Sequence, residues 1–434
     1  MKVAWLTPFH EKSAIGRYSK YAAEALSKWC DVDILTFHTE NLHDTKLDVV
    51  YFDNGSADEL LAGYDIAVYN MGDYTAYHAP IFEASVRNPG VFIIHDATLH
   101  NFMRGYYEER DKNLNEYIRV ITKLYGEPAA YMLLEAANSV ETWYQLDLTL
   151  FSMSELLLPH ACGIVVHSEY HKAKIKPMYQ GPLDVIPLVD MSEFRLEEGA
   201  LFGGYPEDKL NILTVGNVNY NKRVHSLLDA IASSDLLRKK VCYTCIGSLE
   251  NKPYIDMLND KITKSNLSKN VRLLGFVPHN ELAQYYMHAD VISNLRYPAF
   301  EGSSASLQEQ MLMGKSVLVS DTGVYAEMPD DCVFKINPEN EAAELKSILE
   351  KLVGDPLILA AYGEKAKAKA QELFSRENYG RKLYDFLQRV RFTLPLQRLT
   401  DRICAELVVM EVSPDMALRA NVSNEIESLF RSPA

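Results

Sequence analysis

The sequence has few cysteines, no cluster of basic residues and no long uninterrupted apolar run. Its six cysteines are scattered over 434 residues, which excludes a disulfide framework and favours a reducing compartment. The most apolar window, TLFSMSELLLPHACGIVVHS, contains Glu155, Pro159 and His160, so it is not a membrane span. A net charge of −15 without a Lys/Arg block would repel a nucleic-acid backbone, so we expect no nucleic-acid partner.

The amino terminus also lacks the pattern of a secretory signal. The segment MKVAWLTPFHEKS reaches Pro8 and His10 before an apolar stretch of sufficient length has formed. We therefore expect a cytoplasmic protein, with peripheral attachment to a membrane left open.

What the sequence does contain is an alternation of short Val/Ile-rich runs with helical patterns, which predicts parallel sheets wound with helices. The strands predicted in the first half are KVAWLT, DVDILTF, DIAVYN, GVFIIH, GIVVHS and LDVIPL. After a polar stretch, the pattern restarts with LNILTVG, VCYTCIG, NVRLLGF, DVISNL, SVLVS and CVFKI. This length favours two domains over one. We predict two doubly wound, Rossmann-like α/β domains, residues 1–190 and 208–385, joined by a linker at 191–207 and facing a central cleft.

Residues 386–434 lie beyond the second predicted domain and mix charged residues with apolar spacing. We predict a helical extension there. It could pack on the body of the protein, on a partner protein or on a second copy of the chain.

A candidate anion-binding loop follows the first strand of the second domain. That strand ends at Gly216, and Lys222 and Arg223 stand where the next helix is predicted to begin. Cations at a helix amino terminus suit an anionic group, because the side-chain charge and the helix dipole act together. A polar loop with a solvated Lys-Arg pair is the alternative.

The stretch EGSSASLQE places Glu301 and Glu309 on either side of a turn of small residues. The N–H groups of such a turn can approach a phosphate closely, and a carboxylate can accept hydrogen bonds from two vicinal hydroxyls. The stretch could therefore hold the phosphates and the sugars of one nucleotide-sugar. Ser306 to Glu309 also fits a capping box, in which Glu309 would only close the helix. Both interpretations stay open.

Two loops of the first half contribute further candidates. Gly16 lies where the first loop meets its helix and would let the backbone approach a ligand closely. The strand GVFIIH places His95 and Asp96 at its carboxyl end, where sites form in such sheets. A histidine there could donate to a ligand hydroxyl, transfer a proton or serve only the local structure.

Two apparent metal motifs have simpler explanations. Asp31 and Asp33 open the predicted second strand, and Cys242 and Cys245 lie three apart in a strand, so their side chains point to opposite faces. No second cysteine pair completes a zinc site. We predict no metal and no other cofactor.

Together these motifs resemble a family-4 glycosyltransferase of the GT-B fold over about residues 1–385. The resemblance is carried by SAIGRYS, FIIHDATLH, VGNVNYNKR, the E-x7-E spacing of Glu301 and Glu309, and GKSVLVSDTGVYAE. It implies transfer of a sugar, with retention at the anomeric carbon, from a nucleotide-diphospho-sugar to a hydroxyl of a glycan, glycolipid or small molecule. It also implies that protein cations and amides, not a metal, stabilise the departing diphosphate.

The resemblance further implies roles for individual residues. Glu301 would hold donor-sugar hydroxyls, His95 would contact that sugar near the reacting carbon, and Lys222 would neutralise the diphosphate; these three are the catalytic candidates. Glu309 would bind the ribose, and the nucleotide base would lie against GFVPHNEL. The residues expected to line the donor site are Gly16, Asn217, Lys222, Arg223, Val277, Leu282, Ser303, Ser304, Ala305 and Glu309.

Asn217 departs from the resemblance, because the family usually has Arg directly after the glycine of the phosphate loop. Arg223 could replace that cation. The departure leaves open a non-catalytic glycosyltransferase-like subunit that binds a partner. A GT-B-fold epimerase is a further alternative, although the E-x7-E spacing belongs to retaining transferases.

Overall fold

The computed structural model describes residues 1–192 and 204–409, which contain two parallel sheets. The strands of the first sheet are β1 (Lys2–Leu6), β2 (Asp31–Thr36), β3 (Val49–Tyr51), β4 (Ile66–Met71), β5 (Gly90–Ile94), β6 (Ala161–Val166) and β7 (Leu183–Val185). The strands of the second sheet are β8 (Leu210–Val215), β9 (Val241–Ile246), β10 (Val271–Leu274), β11 (Val291–Asn294), β12 (Ser316–Ser320) and β13 (Phe334–Ile336).

Helices connect the strands on both faces of each sheet. Those of the first half are α1 (Ala14–Leu26), α2 (Ala57–Leu61), α3 (Thr75–Arg87), α4 (His100–Gly105), α5 (Leu114–Tyr125), α6 (Glu127–Ala136), α7 (Val140–Gln145) and α8 (Glu169–Ile175). Those of the second half are α9 (Val224–Ala232), α10 (Asp235–Lys240), α11 (Lys252–Lys264), α12 (His279–His288), α13 (Ala305–Leu312), α14 (Glu341–Gly354), α15 (Leu357–Leu373) and α16 (Arg376–Val409). None of the helices in the described ranges is long and apolar enough to cross a membrane.

The strand order of each sheet determines where a ligand can bind. The first sheet has the order β3-β2-β1-β4-β5-β6-β7 and the second β10-β9-β8-β11-β12-β13, with all neighbouring strands parallel. The order reverses between β1 and β4 in the first sheet and between β8 and β11 in the second. In doubly wound sheets, ligands bind outside the carboxyl ends of the strands that flank such a reversal.

The two sheets share part of their core. Residues of β1 and β9 are buried on both faces, as expected for parallel sheets covered by helices. One apolar cluster combines Trp5 of β1 and Leu26 of α1 with Val317 of β12 and Ala366 of α15. The two predicted domains are therefore packed against each other through apolar side chains as well as through loops.

The predicted doubly wound α/β fold with a helical extension agrees with these elements, and all twelve predicted strands are present. The strand β3 was missed; it is only three residues long and lies at the edge of the sheet, where Val49 and Tyr51 are exposed. Cys242 lies within β9, buried as expected.

The last described helix, α16, returns the chain to the first domain. Its Phe386 and Val390 are inaccessible to solvent, and a Cβ on Gly163 of β6 would lie 2.6 Å from Val390 Cγ2. Because α16 already begins at Arg376, the domain boundary predicted after residue 385 falls inside a helix. The part of the predicted extension from 410 to 434 lies outside the described residues, as does most of the predicted linker.

We expect Phe386→Ala to lower the free energy of unfolding by about 3–5 kcal/mol, because it empties a fully buried site between α16 and the first sheet. Phe392→Ala on the same helix is the matched control, since its side chain is 87% exposed and its loss should cost at most ~0.5 kcal/mol. Urea denaturation followed by circular dichroism measures both. Equal losses in the two variants would contradict the packing of α16 on the first domain.

Candidate active site

The candidate site lies where β8 and β11 end. These strands are neighbours, so the loops that follow them, residues 216–223 and 295–304, meet at one edge of the sheet. The N–H of Tyr297 donates to the Asn221 carbonyl at 2.9 Å, and the Asn221 side chain donates to the Pro298 carbonyl at 3.2 Å. These bonds hold the glutamate-bearing loop beside the predicted phosphate loop.

Lys222 is a buried cation at this edge. Its Nζ donates to the Val215 carbonyl at 2.5 Å, and Gly216 gives it room, because a Cβ there would lie 2.8 Å from Nζ. Burial and then the positive charge of Arg296 hold the pKa of Lys222 well below its usual value, whereas the charge of Glu301 acts in the opposite direction. Lys222 forms no ion pair with the residues that the structure describes, so a bound anion would raise its pKa again and favour its charged form.

Arg223 pairs with a carboxylate of its own domain, and its predicted replacement of the family's missing arginine remains a prediction. Its Nε donates to both carboxylate oxygens of Glu341, at 3.0 and 2.9 Å, and Glu341 is buried. Freeing Arg223 for a diphosphate would leave that carboxylate buried without its cation, which is costly. The structure therefore gives Arg223 the role of neutralising Glu341, while Asn217 is exposed in the loop.

Arg296, which was not among the predicted site residues, lies beside Glu301. Its side chain is 9% exposed, its Nη1 donates to the Leu295 carbonyl at 2.8 Å, and its Nε lies 3.3 Å from Glu301 Oε1. Glu301 Oε2 is buried and accepts no hydrogen bond from the described residues. The Glu301 charge nevertheless adds to burial in raising the pKa of Tyr325, so that hydroxyl is close by. Glu301 thus has an unfilled acceptor, as a carboxylate that binds sugar hydroxyls requires.

The Glu301 loop is joined to the first domain by backbone hydrogen bonds. The N–H of Ala97 donates to the Phe300 carbonyl at 2.8 Å, and the N–H of Gly302 donates to the His95 carbonyl at 3.0 Å. A Cβ on Gly302 would lie 2.7 Å from the His95 carbonyl oxygen, so this approach depends on glycine. Glu301 is therefore positioned between the two sheets.

The ring of His95 has partners within the first domain, and its predicted contact with the donor sugar remains a prediction. Its ring is buried, with Nε2 3.2 Å from Asn70 Oδ1 and Nδ1 3.1 Å from His167 Nε2. Burial and then the neighbouring histidines hold the pKa of His95 well below its usual value, and burial lowers that of His167 to about 4. Both ring nitrogens of His95 are thus engaged within the first domain. In this structure its carbonyl, not its ring, reaches the Glu301 loop.

Glu309 is not the partner of a capping box. The helix α13 begins at Ala305, and its amino-terminal cap is Ser304, whose Oγ accepts from the Leu307 N–H at 3.2 Å. Glu309 Oε1 instead accepts from Nη2 of Arg17, on α1 of the first domain, at 2.8 Å. The second predicted carboxylate therefore also lies at the contact between the domains.

The amides predicted to bind phosphate differ in availability. The N–H groups of Ser303 and Ser304, ahead of the exposed Ala305, donate to none of the described residues. The N–H of Gly16 donates to Ser13 Oγ at 3.0 Å, and a Cβ on Gly16 would lie 2.5 Å from the carbonyl oxygen of Pro8. The structure thus accounts for Gly16 by packing and capping, and its predicted contact with a phosphate remains a prediction.

Val277 and Leu282, the residues predicted to lie against the nucleotide base, occupy the same edge of the second sheet. Both are partly buried against an apolar cluster that includes Leu213 of β8 and Ile292 of β11. Partly buried apolar side chains of this kind suit a base, and the predicted contact remains a prediction.

The first domain contributes two acidic side chains that face the Glu301 loop. Asp96 Oδ2 accepts from the N–H of Asp73 at 2.9 Å, and Asp96 pairs with Glu301 through an isolated backbone bridge. Burial raises the pKa of Asp96 to about 7, with the charge of Glu301 adding to the rise. Burial and the charge of Asp96 raise the pKa of Asp73 well above its usual value. Asp73 was not predicted, since no local pattern marks it.

A cavity of about 410 Å³ opens next to this acidic pair. Its walls come from α4, the segment around α6 and α7, and the Glu301 loop: Asn101, Arg104, Ala137, Ser139, Trp143, Leu148 and Phe300. The Asn101 side chain donates to Asp73 Oδ2 at 2.6 Å and accepts from the Trp143 indole at 2.8 Å. An aromatic and amide lining beside Glu301 suits a polar, ring-shaped molecule such as a sugar.

Over residues 1–192 and 204–409, no group of three or more His, Cys, Asp or Glu side chains is placed to hold a metal ion. Asp33, one of the dismissed candidates, pairs with Lys2 at 3.0 Å. That the protein works without a metal stays a prediction.

Comparison with known sequences points to glycosyl transfer. Residues 202–369, which contain the Lys222 and Glu301 loops, match the family described as "Glycosyl transferases group 1". The amylovoran biosynthesis glycosyltransferase AmsK of Erwinia amylovora is 27% identical over 224 residues, or 43% of this chain and 52% of AmsK. The chain thus spans about half the length of that relative. These matches support a glycosyltransferase as the class of enzyme.

Solved structures agree on the fold. Anabaena HepE in complex with UDP is 16% identical with a TM-score of 0.59, and the match covers 90% of this chain and 100% of HepE. Sucrose-phosphate synthase from Thermosynechococcus elongatus is 15% identical with a TM-score of 0.61, covering 90% and 99% of the two chains. At these identities the likeness is one of fold, and the fold is GT-B: two Rossmann-like domains that face each other.

The raised pKa of Asp96 has a consequence for stability. Because its folded pKa of about 7 lies above the usual 3.8, the folded state holds the extra proton and stability falls as pH rises through that interval. We expect Asp96→Asn, which cannot ionise, to gain about 2–3 kcal/mol relative to the wild type between pH 5 and pH 7.5. Urea denaturation at both pH values measures this, with the exposed Asp208→Asn as control. A pH-independent difference would show that Asp96 is ionised in the folded protein throughout.

Proposed function

We propose that the protein is a retaining glycosyltransferase that moves a sugar from a nucleotide-diphospho-sugar to an acceptor hydroxyl without a bound metal. One observation carries the proposal: two groups without a full set of partners lie in neighbouring loops at the carboxyl ends of β8 and β11. They are Lys222, which forms no ion pair with the described residues, and Glu301 Oε2, which accepts no hydrogen bond from them. One group suits the diphosphate and the other the sugar attached to it. The family match over this region supports the assignment.

In the proposed reaction, the bond between the anomeric carbon and the diphosphate oxygen breaks and the acceptor oxygen bonds to the same carbon. Negative charge grows on the departing oxygen, where Lys222 and the free N–H groups of Ser303 and Ser304 would stabilise it. Retention requires attack from the side that the diphosphate leaves. The proton of the acceptor hydroxyl can then pass to the departing phosphate oxygen.

The two sides of the cleft would bind different substrates. The second domain would take the nucleotide, with the base against Val277 and Leu282 and the ribose on the second oxygen of Glu309. HepE has been crystallised with UDP and with UDP-glucose, which favours a uridine donor here. The acceptor would enter through the cavity beside Phe300, and its aromatic and amide lining supports a glycan, a glycolipid headgroup or a small sugar-like molecule.

The decisive assay measures nucleotide released from UDP-, GDP- and ADP-sugars by the full chain. We expect release from one of these donors, and we expect Lys222→Ala to lower its rate about a hundredfold, which is roughly 3 kcal/mol of lost charge stabilisation. Lys239→Ala is the control, because that exposed lysine on α10 contributes nothing to the site and should leave the rate unchanged.

The same assay in EDTA tests the metal-free part of the proposal. Activity lost in EDTA and restored by Mn²⁺ would show that a metal takes part. Full activity of Lys222→Ala would mean that the phosphate loop is misassigned. A protein that binds a nucleotide but releases none from any donor would point to the non-catalytic alternative that Asn217 left open.

Substitutions of Glu301 and of Glu309 should change different kinetic constants. Glu301→Gln should lower kcat strongly, since its carboxylate faces the reacting sugar, whereas Glu309→Gln should mainly raise the donor KM. Arg17→Gln separates the two roles of Glu309: it breaks the interdomain ion pair but leaves the carboxylate for the ribose. If Arg17→Gln raised the donor KM as much as Glu309→Gln, Glu309 would act only through Arg17 and the ribose contact would be wrong.

A further inference from the structure

We propose that Arg296 is the second cation of the leaving-group site and binds the nucleoside diphosphate together with Lys222. The inference rests on the proposed function and extends it to a residue that the phosphate loop does not contain. It starts from the position of Arg296 just after β11, the neighbour of β8 at the reversal of strand order. The hydrogen bond from Tyr297 to Asn221 holds this loop against the turn that carries Lys222.

The charge of Arg296 is only partly compensated. Its contact with a carboxylate is a single one, 3.3 Å from Nε to Glu301 Oε1, although its side chain is 9% exposed. In the described part of the chain, no atom accepts a hydrogen bond from its Nη2. Lys222 has no carboxylate partner there either, so two buried cations share Glu301. Buried charges are normally paired, and an anion with more than one charge would complete this group.

Other arginines around the cleft are committed to different partners. Arg223 donates to both oxygens of Glu341, and Arg104 pairs with Glu108. Arg17 donates to Glu309 and to the Met191 carbonyl through Nη2, so its charge is paired although its Nε has no partner among the described residues. Arg296 combines burial, an unfilled donor and proximity to Lys222, whose pKa its charge lowers. A guanidinium also suits this role, since its planar fork can bind two phosphate oxygens at once.

The competing explanation is that Arg296 only positions Glu301. Both explanations predict a lower kcat on substitution, so kcat alone cannot separate them. The two explanations make different predictions for ligands that lack the transferred sugar, because Glu301 would not contribute to binding a diphosphate without that sugar.

The test therefore measures binding of UDP and of inorganic pyrophosphate to the full chain by calorimetry. We expect Arg296→Gln to weaken both roughly 10- to 100-fold, the usual effect of losing a charge-assisted phosphate contact. Arg238→Gln is the matched control: it removes an arginine of α10 whose side chain donates to the Ala232 and Ser265 carbonyls, so it should lower the melting temperature but change the Kd for UDP less than threefold. Arg296→Met, which keeps the apolar stem, carries the same expectation should the Gln variant not fold.

The outcomes separate this inference from the proposed function. A wild-type protein that binds none of UDP, GDP, ADP and pyrophosphate would overturn both. Normal affinity for the preferred diphosphate and for pyrophosphate in a folded Arg296 variant, with kcat reduced, would leave the proposed function standing and make Arg296 a positioning residue for Glu301. Equal weakening by Arg238→Gln and Arg296→Gln would also overturn the assignment, because the effect would then be a general one of charge.

Discussion

The backbone pairing between the loop after β5 and the Glu301 loop is the constraint on which the site depends. The bonds Ala97–Phe300 and Gly302–His95 form only because residue 302 has no side chain; a Cβ there would lie 2.6 Å from His171 Nδ1. Burial lowers the pKa of His171 to about 3, so the ring packs there in its neutral form. As a result, Glu301 faces the cations of its own domain on one side and the acidic pair of the first domain on the other.

The charges around this junction are arranged for a ligand more than for the stability of the empty protein. Lys222 is buried without an ion pair among the described residues, Glu301 has an unfilled oxygen, and burial raises the pKa of Asp96 to about 7. Each of these features costs free energy in the absence of a ligand. A polyanion carrying a hydroxylated ring would relieve the first two at once. Such preorganised, locally unfavourable polar groups are a general property of catalytic sites.

Hydrogen bonds between the two segments that connect the sheets, around Asp190 and around Phe374, also stabilise this junction. The N–H of Asp190 donates to the Phe374 carbonyl at 2.7 Å, and Arg376 Nε donates to the Asp190 carbonyl at 2.8 Å. Beyond that point α16 packs on β6 and α1, so the carboxyl-terminal part of the described chain belongs physically to the first domain. Both crossings and the Glu301 loop must therefore keep their relative positions for the two halves of the site to meet.

Features of the fold and of the candidate site could be predicted when the residues that form them are close in the sequence, and not when they are far apart. The strands, the doubly wound fold and the two glutamates could be read from local apolar runs and small-residue turns, because their signals lie within a few neighbouring residues. The pairing of Arg223 with Glu341, 118 residues away, could not, and neither could the engagement of the His95 ring by Asn70 and His167. Arg296 could not be selected as a site cation from the sequence. It lies close to Lys222 because β8 and β11 are neighbours in the sheet, although β9 and β10 separate them in the sequence. Local motifs thus predict candidate site residues, whereas tertiary pairing decides which of their charges lack partners within the described protein.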